Sequence, residues 1–385
     1  MSEIRSLLSA SGSLRRAGRP FVLATVVGVR GSSYRRPGAR MILADDAVQA
    51  GSVSAGCLEA DLVRRGWWRT AQQDAAVVTY DSTTPDDELG WGLGLGCNGV
   101  VELLLERVTS DGLDPLAWHR RWLGDEQAGA LVTVVRSERR GVAVATRLAL
   151  GADGSVDSSV GPGATRDWLV DQARLALDEG ATRAVVSPDG TLGALVEAIV
   201  PPPSLFVFGT HPDAVAVARQ GLALGWRVVV AADQARWETR QRFADMDVTV
   251  LRDPAAITAA VDACARPVAV VMSHDFDRDR LVLGSLLGSS ARYIGVLGPR
   301  RRTEQLLTTP DAAGRASGLD GLERLHAPAG LHLGAETPAE IALAIVAEAQ
   351  SVLSGTSGCA LRDRVGPIHG TSGPVARPAQ GMAAE

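Results

Sequence analysis

SLFVFGTHPDAVAVARQGLALGWRVVVAAD, residues 204–233, holds two short β-branched apolar runs separated by a longer run with helical spacing. A strand that ends in Gly209, a helix and a second strand make one parallel βαβ unit. The same alternation continues downstream. DVTVLRD, PVAVVMS and ARYIGVLG read as strands, while AAITAAVDAC, a segment after Asp279 and PAEIALAIVAEAQSVL read as helices. Strands alternating with helices predict a doubly wound parallel sheet of the Rossmann type. Immediately upstream stand Pro201, Pro202 and Pro203. Three consecutive prolines fit neither a helix interior nor a central strand, so they mark a boundary. The expected organisation is an α+β domain over 1–200, a Rossmann-like domain over 204–353, and a disordered tail over 354–385, where Gly, Ser, Pro and Ala dominate.

Before the prolines the pattern is rich in strands. FVLATVVGV and ARMILAD flank GSSYRRPG, a hairpin with a long tip. GSVSAGCLEADLVRRGWWRTAQQ follows as a Gly-rich turn opening a helix, with Leu58, Leu62 and Trp68 expected toward a core. AAVVTYDS and VVELLLERV read as strands around the loop GWGLGLGCNG. From Ala130, ALVTVVRSERRGVAVATRLALGADGSV resembles VLATVVGVRGSSYRRPGARMILADDAV from Val22, a degenerate repeat or a chance match of two generic hairpins. The second copy lacks the GSS, RRPG and cysteine segments.

Composition excludes several classes. The 385 residues carry 39 basic and 44 acidic side chains, a net charge of -5, which argues against nucleic acid as a partner. Every basic residue other than His is Arg, so neither a P-loop lysine nor a lysine Schiff base is available. No run of about eighteen apolar residues predicts a membrane span. MSEIRSLLSASGSLRRAG lacks the apolar centre of a leader, so the expected location is the cytoplasm. Cys57, Cys97, Cys264 and Cys359 form no CxxC pair and lack cluster spacing, which excludes a subunit that carries iron–sulfur centres.

Four constellations carry possible chemistry. Gly209-Thr210-His211-Pro212-Asp213-Ala214 keeps the first glycine of a dinucleotide turn but has His211 where the second belongs. Asp233 stands where a ribose-binding carboxylate is expected. Ser32, Ser33, Arg35, Arg36 and Arg40 crowd the hairpin tip and suit an oxyanion. Cys57, at a helix start, and Cys97, in a Gly-rich loop, are candidate soft ligands or sulfur carriers. Cys264 reads as core and Cys359 as incidental. His274 and Asp275, after the strand PVAVVMS, are candidate acid–base or nucleotide-binding groups, although an Asp-rich helix cap accounts for the carboxylates too. His326 and His332 read as turn residues.

Taken together, GSSYRRPGARM, GSVSAGCLEADL, WGLGLGCNGVVELLLE, the Ser273-His274-Asp275 segment, ARYIGVLGPRRRTEQLL and HAPAGLHLGAETPAEIALAIVAE resemble the XdhC/CoxI family, accessory factors of molybdenum-cofactor enzymes. The resemblance implies an N-terminal XdhC/CoxI domain followed by a Rossmann domain. It also implies binding of molybdenum cofactor (molybdopterin), support of its sulfuration by a cysteine desulfurase, and insertion into a molybdoenzyme apo-subunit of the xanthine or carbon monoxide dehydrogenase type. The hairpin residues would then hold the cofactor's phosphate end, and Cys57 or Cys97 its molybdenum–sulfur end. A chaperone without turnover of its own is expected. The alternatives are an NAD(P)-dependent oxidoreductase using the second domain, or a regulator sensing a nucleotide there. A homodimer fits the commonest assembly. The chain departs from the family at His211-Pro212, at Phe276 and at Asn98.

Overall fold

The computed structural model describes residues 2–31, 34–54, 56, 58–71, 73–81, 99–233, 237–309 and 321–363. The chain divides between Pro201 and Pro202 into two units.

The first unit begins with α1 (Ser2–Arg16), β1 (Phe21–Gly31), β2 (Arg40–Ala44), β3 (Ala47–Gly51), α2 (Glu59–Arg69), β4 (Ala75–Asp81) and β5 (Gly99–Val108). It continues with α3 (Ala117–Gly124), β6 (Gly129–Ser137), β7 (Arg147–Gly151), β8 (Val156–Ser158), α4 (Ala164–Glu179), β9 (Arg183–Val186) and β10 (Leu192–Ile199). Two five-stranded sheets result, ordered β3-β2-β1-β5-β4 and β8-β7-β6-β10-β9. The second order repeats the first strand for strand, and the pairings described are antiparallel in both.

Matching details go down to single residues. Thr25 pairs with Arg40, and Thr133 pairs with Arg147. The register of β1 against β5 shifts between Val26 and Gly28, and that of β6 against β10 shifts between Val134 and Arg136. Val27 and Val135 are thus the extra residues of matching β-bulges. Each sheet buries one face under the helix that precedes it and the other under the helix inside the repeat. Leu7 and Leu14 of α1 cover Phe21, Leu23 and Ile42, while Leu62 of α2 joins Val22, Ala24, Met41 and Leu103. Trp122 of α3 covers Leu131 and Ala149, while Leu169, Ala173 and Ala176 of α4 join Val132, Val134 and Leu148. Burial on both faces explains why β1 is apolar nearly throughout.

Charged side chains are exchanged between the two sheets. Arg40 of β2 donates to both carboxylate oxygens of Glu197 on β10, at 2.8 and 2.6 Å. Arg147 of β7 donates to both oxygens of Glu106 on β5, at 2.7 Å each. Each arginine also reaches back to a carbonyl of its own hairpin, Gly38 at 2.8 Å and Ala145 at 3.2 Å. Gly38 and Ala145 both have positive φ, 95° and 66°. Val27, Leu104 and Leu195 form a small core in which Val135 and Ala145 also pack.

The second unit runs β11 (Ser204–Phe208), α5 (Pro212–Ala223), β12 (Arg227–Ala232), α6 (Trp237–Arg242), β13 (Asp247–Val250), α7 (Pro254–Asp262) and β14 (Pro267–Val271). It then runs α8 (Phe276–Leu287), β15 (Tyr293–Val296), α9 (Arg300–Thr308), β16 (Leu325–His326) and α10 (Pro338–Leu353). The six strands pair in parallel in the order β13-β12-β11-β14-β15-β16, that of a Rossmann domain. Alternation along β11 sends Leu205 and Val207 to the face covered by α5 and α10, and Phe206 and Phe208 to the face of α7 and α8. Gly221 lets α5 lie close, because a Cβ there would stand 2.6 Å from Leu205 Cδ2. Thr337 and Glu340 close a capping box at α10.

Four expectations need correction. Trp68 is 76 % exposed, not directed to the core. At about 100° per residue the face set by Leu58 and Leu62 returns at Gly66, and position 68 points away. The helix expected after Asp279 starts earlier, at Phe276, because Asp275 caps it. His326 lies in a sixth strand too short to show alternation. In the expected tail, Leu361–Asp363 forms one 3-10 turn, and 364–385 lie outside the described residues. Among the described residues no helix is long and apolar enough to cross a membrane.

Candidate functional site

In the first unit the turn before α2 is organised around one carboxylate. Glu59 Oε1 accepts from Ser52 Oγ at 2.9 Å, Val53 N at 3.2 Å and Ser54 N at 2.8 Å. Its Oε2 accepts from Gly56 N at 3.1 Å and from the Ser54 hydroxyl. Ser54 Oγ in turn accepts from Leu58 N at 3.0 Å. Gly56, at φ +108, allows the chain to fold its amides inward. Partial burial works against the charge on Glu59, but the Ser54 hydroxyl, the backbone donors and Ser52 outweigh it and hold the carboxyl below its ordinary value. The chain therefore forms an anion nest from Ser52, Val53, Ser54 and Gly56 and fills it with the Glu59 side chain.

Two residues further along α2, Asp61 is fully buried. It accepts from Tyr80 Oη at 2.8 Å and pairs with Arg69 and Arg65 at 3.3 Å each. Burial and the Asp61 carboxylate raise the Tyr80 hydroxyl well above its ordinary value. This network ties α2 to β4. Sequence reasoning passed over Glu59 and Asp61. The available signal was two acidic residues in the first turn of a helix behind a Ser- and Gly-rich turn.

At the hairpin tip the arginines separate. Arg35 forms a two-point pair with Glu3 of α1, at 3.2 and 2.7 Å. Arg36 is exposed, as is Tyr34. Arg40 is 6 % exposed and turned into the Glu197 pair. Its guanidinium is taken up inside the fold, so it is not placed to meet a ligand's phosphate at the tip. Ser32, Ser33, Cys57 and Cys97 lie outside the described residues. Close to the crossed pairs sits buried His119 of α3, with Nε2 4.0 Å from Glu197 Oε1 and no hydrogen-bond partner at Nδ1. Burial first, then Arg40 and Arg147, push its pKa well below the ordinary value, so the ring is neutral.

In the second unit the strand ends open a cleft of about 480 Å³, lined among others by Gly209, Thr210, Asp233, Glu238, Asp275 and Arg278. Gly209 permits β11 to meet β14, since a Cβ there would stand 2.6 Å from the Met272 carbonyl oxygen. Asp233 follows β12 and accepts from Arg278 Nε at 2.8 Å. Asp275 accepts from Arg278 N at 2.9 Å as the N-cap of α8. His274 has φ +64, and its ring meets the His211 ring edge-on, with centroids 5.1 Å apart. Gly209, His211, His274 and Asp275 therefore surround the ends of β11 and β14, with Asp233 across the cleft. Buried Asp279, which the sequence did not single out, receives Ser273 Oγ at 2.5 Å and Arg302 Nη1 at 2.8 Å. Further along the sheet Glu348 binds Tyr293 Oη at 2.7 Å, Gly330 N at 2.8 Å and His326 Nδ1 at 3.2 Å, which fixes the last strand. Among the described residues no three His, Cys, Asp or Glu side chains come together as a metal site.

Residues 14–81 match the XdhC and CoxI family, and residues 205–349 match the XdhC Rossmann domain. The chain is 30 % identical over 327 residues to a probable xanthine dehydrogenase subunit of Bacillus subtilis, covering 85 % of this chain and 91 % of that one. It is 26 % identical over 243 residues to the uncharacterized protein YqeB of Escherichia coli, covering 60 % and 44 % respectively. A crystal structure of a xanthine dehydrogenase from Bacillus halodurans superposes with a TM-score of 0.70 at 27 % identity, covering 92 % of this chain and 96 % of that one.

Proposed function

Because the chain belongs to the XdhC and CoxI family, we propose that it is an accessory factor in the maturation of a molybdoenzyme of the xanthine or carbon monoxide dehydrogenase type, and that its first unit holds the molybdenum cofactor before insertion. Its partners are then the apo-subunit of that enzyme and a cysteine desulfurase, which sulfurates the held cofactor. The supporting observation is that the family match over 14–81 contains both the Arg-rich hairpin tip and the turn that Glu59 organises. When bound, the cofactor supplies a phosphate, a planar pterin and a molybdenum–sulfur centre.

The described donor set fits such a group in part. Arg36 at the tip, with Arg35 beside it, offers guanidinium donors to a phosphate. Arg40 supports the tip from within through Glu197. The bonds of Glu59 fix Ser52, Val53, Ser54 and Gly56, next in sequence to Cys57. Cys57 and Cys97 are assigned to the soft end of the cofactor.

The test is to express the chain together with an active cofactor pathway and measure molybdenum and pterin in the purified protein. The expected result is stoichiometric pterin that is retained after gel filtration. Cys57→Ser with Cys97→Ser should abolish molybdenum retention, and Arg36→Ala should weaken pterin retention. Absence of pterin from the wild-type chain, or unchanged retention in the double variant, would overturn the reading.

A further inference from the structure

The crevice of the second unit keeps one half of a dinucleotide site and has lost the other. We infer that it binds a ribonucleoside whose 5′ substituent is not a phosphate.

The ribose end is built. Asp233 stands at the end of β12, beside the point where the strand order reverses, where a Rossmann sheet receives a sugar. Its carboxylate lines the cleft and is 53 % exposed, so it retains an oxygen for a diol beside the one that meets Arg278. Arg278 fixes that carboxylate, because its other nitrogens donate to the carbonyls of Leu251 and Arg252. Arg252 also donates to the Asp233 carbonyl. The acceptor is therefore held in place before any ligand arrives.

The phosphate end is not built. A pyrophosphate needs free amides at the start of α5 and a glycine through which the backbone can approach. His211 occupies the glycine position as N-cap, with its ring packed on His274. Pro212 at the first helical position has no N–H. The Ala214 amide already donates to the His211 carbonyl at 3.0 Å. Asp213 places a negative charge in the first turn, where the helix would otherwise favour an anion. Asp275 and Glu238, which also line the cleft, add two more carboxylates, while the guanidinium of Arg278 is bonded to Asp233 and to the carbonyls of Leu251 and Arg252. Arg242 brings a guanidinium to the turn by donating to the Thr210 carbonyl, but Asp213, Asp275 and Glu238 outnumber it. A neutral ribose suits this surface, and so does a cationic 5′ group. A dianionic phosphate does not.

This inference is independent of cofactor holding in the first unit. The test is isothermal titration of the full chain with the four common ribonucleosides, then with the 2′-deoxy form and the 5′-monophosphate of the best binder, and with NAD. The nucleoside should bind at least tenfold tighter than its monophosphate and than NAD. Removing the 2′-hydroxyl should weaken it about tenfold, the scale of one hydrogen bond to a charged group. Asp233→Asn should erase the ribo-over-deoxy preference, which a merely structural aspartate would not control. His211→Gly should narrow the gap between nucleoside and monophosphate. NAD or the monophosphate binding as tightly as the nucleoside would overturn the inference, as would no heat from any ribonucleoside at millimolar concentration.

Discussion

The two sheets of the first unit share strand order, a bulge at Val27 or Val135, a covering pair of helices and an arginine that reaches across. They differ in what joins the strands. Between β9 and β10 the chain turns through Ser187–Thr191, a tight loop that Asp189 closes by accepting from Ser187 Oγ, Thr191 and Arg139. Between β4 and β5 the first sheet carries 82–98, which includes Cys97. Ahead of α2 the first sheet has the turn filled by Glu59, whereas α4 starts behind Gly163 with no side-chain cap. The difference teaches that the sheet is a scaffold able to stand with short turns. The long segments of the first copy are additions that the fold itself does not require.

The crossed pairs give the largest test of this comparison. Arg40→Met leaves Glu197 buried without its partner and should cost about 3–5 kcal/mol in urea unfolding. Arg147→Met should cost less, since the Arg147 side chain is 19 % exposed against 7 % for Arg40. Equal costs would mean that the two crossings are equally desolvated. The double change Arg40→Met with Glu197→Leu should recover much of the loss.

His119 supplies a second test. Its native pKa is lowered, so below about 6.5 the unfolded chain binds a proton that the native chain does not. Stability therefore falls with falling pH, approaching about 1.4 kcal/mol per pH unit from this group. His119→Gln should remove that slope between pH 6.5 and 5, measured as the difference between the two urea midpoints.

Glu59 sharpens the contrast between the copies. Its folded pKa is depressed, so its contribution is present above the ordinary value of 4.5 and is lost as pH falls below it. Hydrogen exchange at residues 52–56 should speed up under that condition or in Glu59→Ala, while 187–191 should stay protected in Glu59→Ala. Trp68→Ala should have the smallest effect, within about 0.5 kcal/mol, because the ring is exposed.

Much of the second unit was legible in the sequence. Runs such as Leu205–Phe208 and Val268–Val271, buried on both faces, are long enough to announce a parallel sheet. The two-residue strand at Leu325–His326 was not, because pairing with β15, not local pattern, creates it. In the site, Asp233 and Gly209 could be placed by their distance from a strand end. The partners of Arg40 could not. A guanidinium in an Arg-rich turn looks the same on paper whether it faces water or a carboxylate far along the chain, and only the packed sheets decide. Glu59 was hidden for a related reason: its donors are mostly backbone amides, which carry no side-chain signature.

Arg40 and Glu106 both belong to the first copy, yet neither pairs with the other; each finds its counterpart in the second copy. A lone copy would display one unanswered cation and one unanswered anion, placed to be answered by a second molecule like itself. The first unit is, in effect, a self-complementary dimer written into a single polypeptide. Cutting between β5 and α3 should therefore yield fragments that reassociate and not two independent folds.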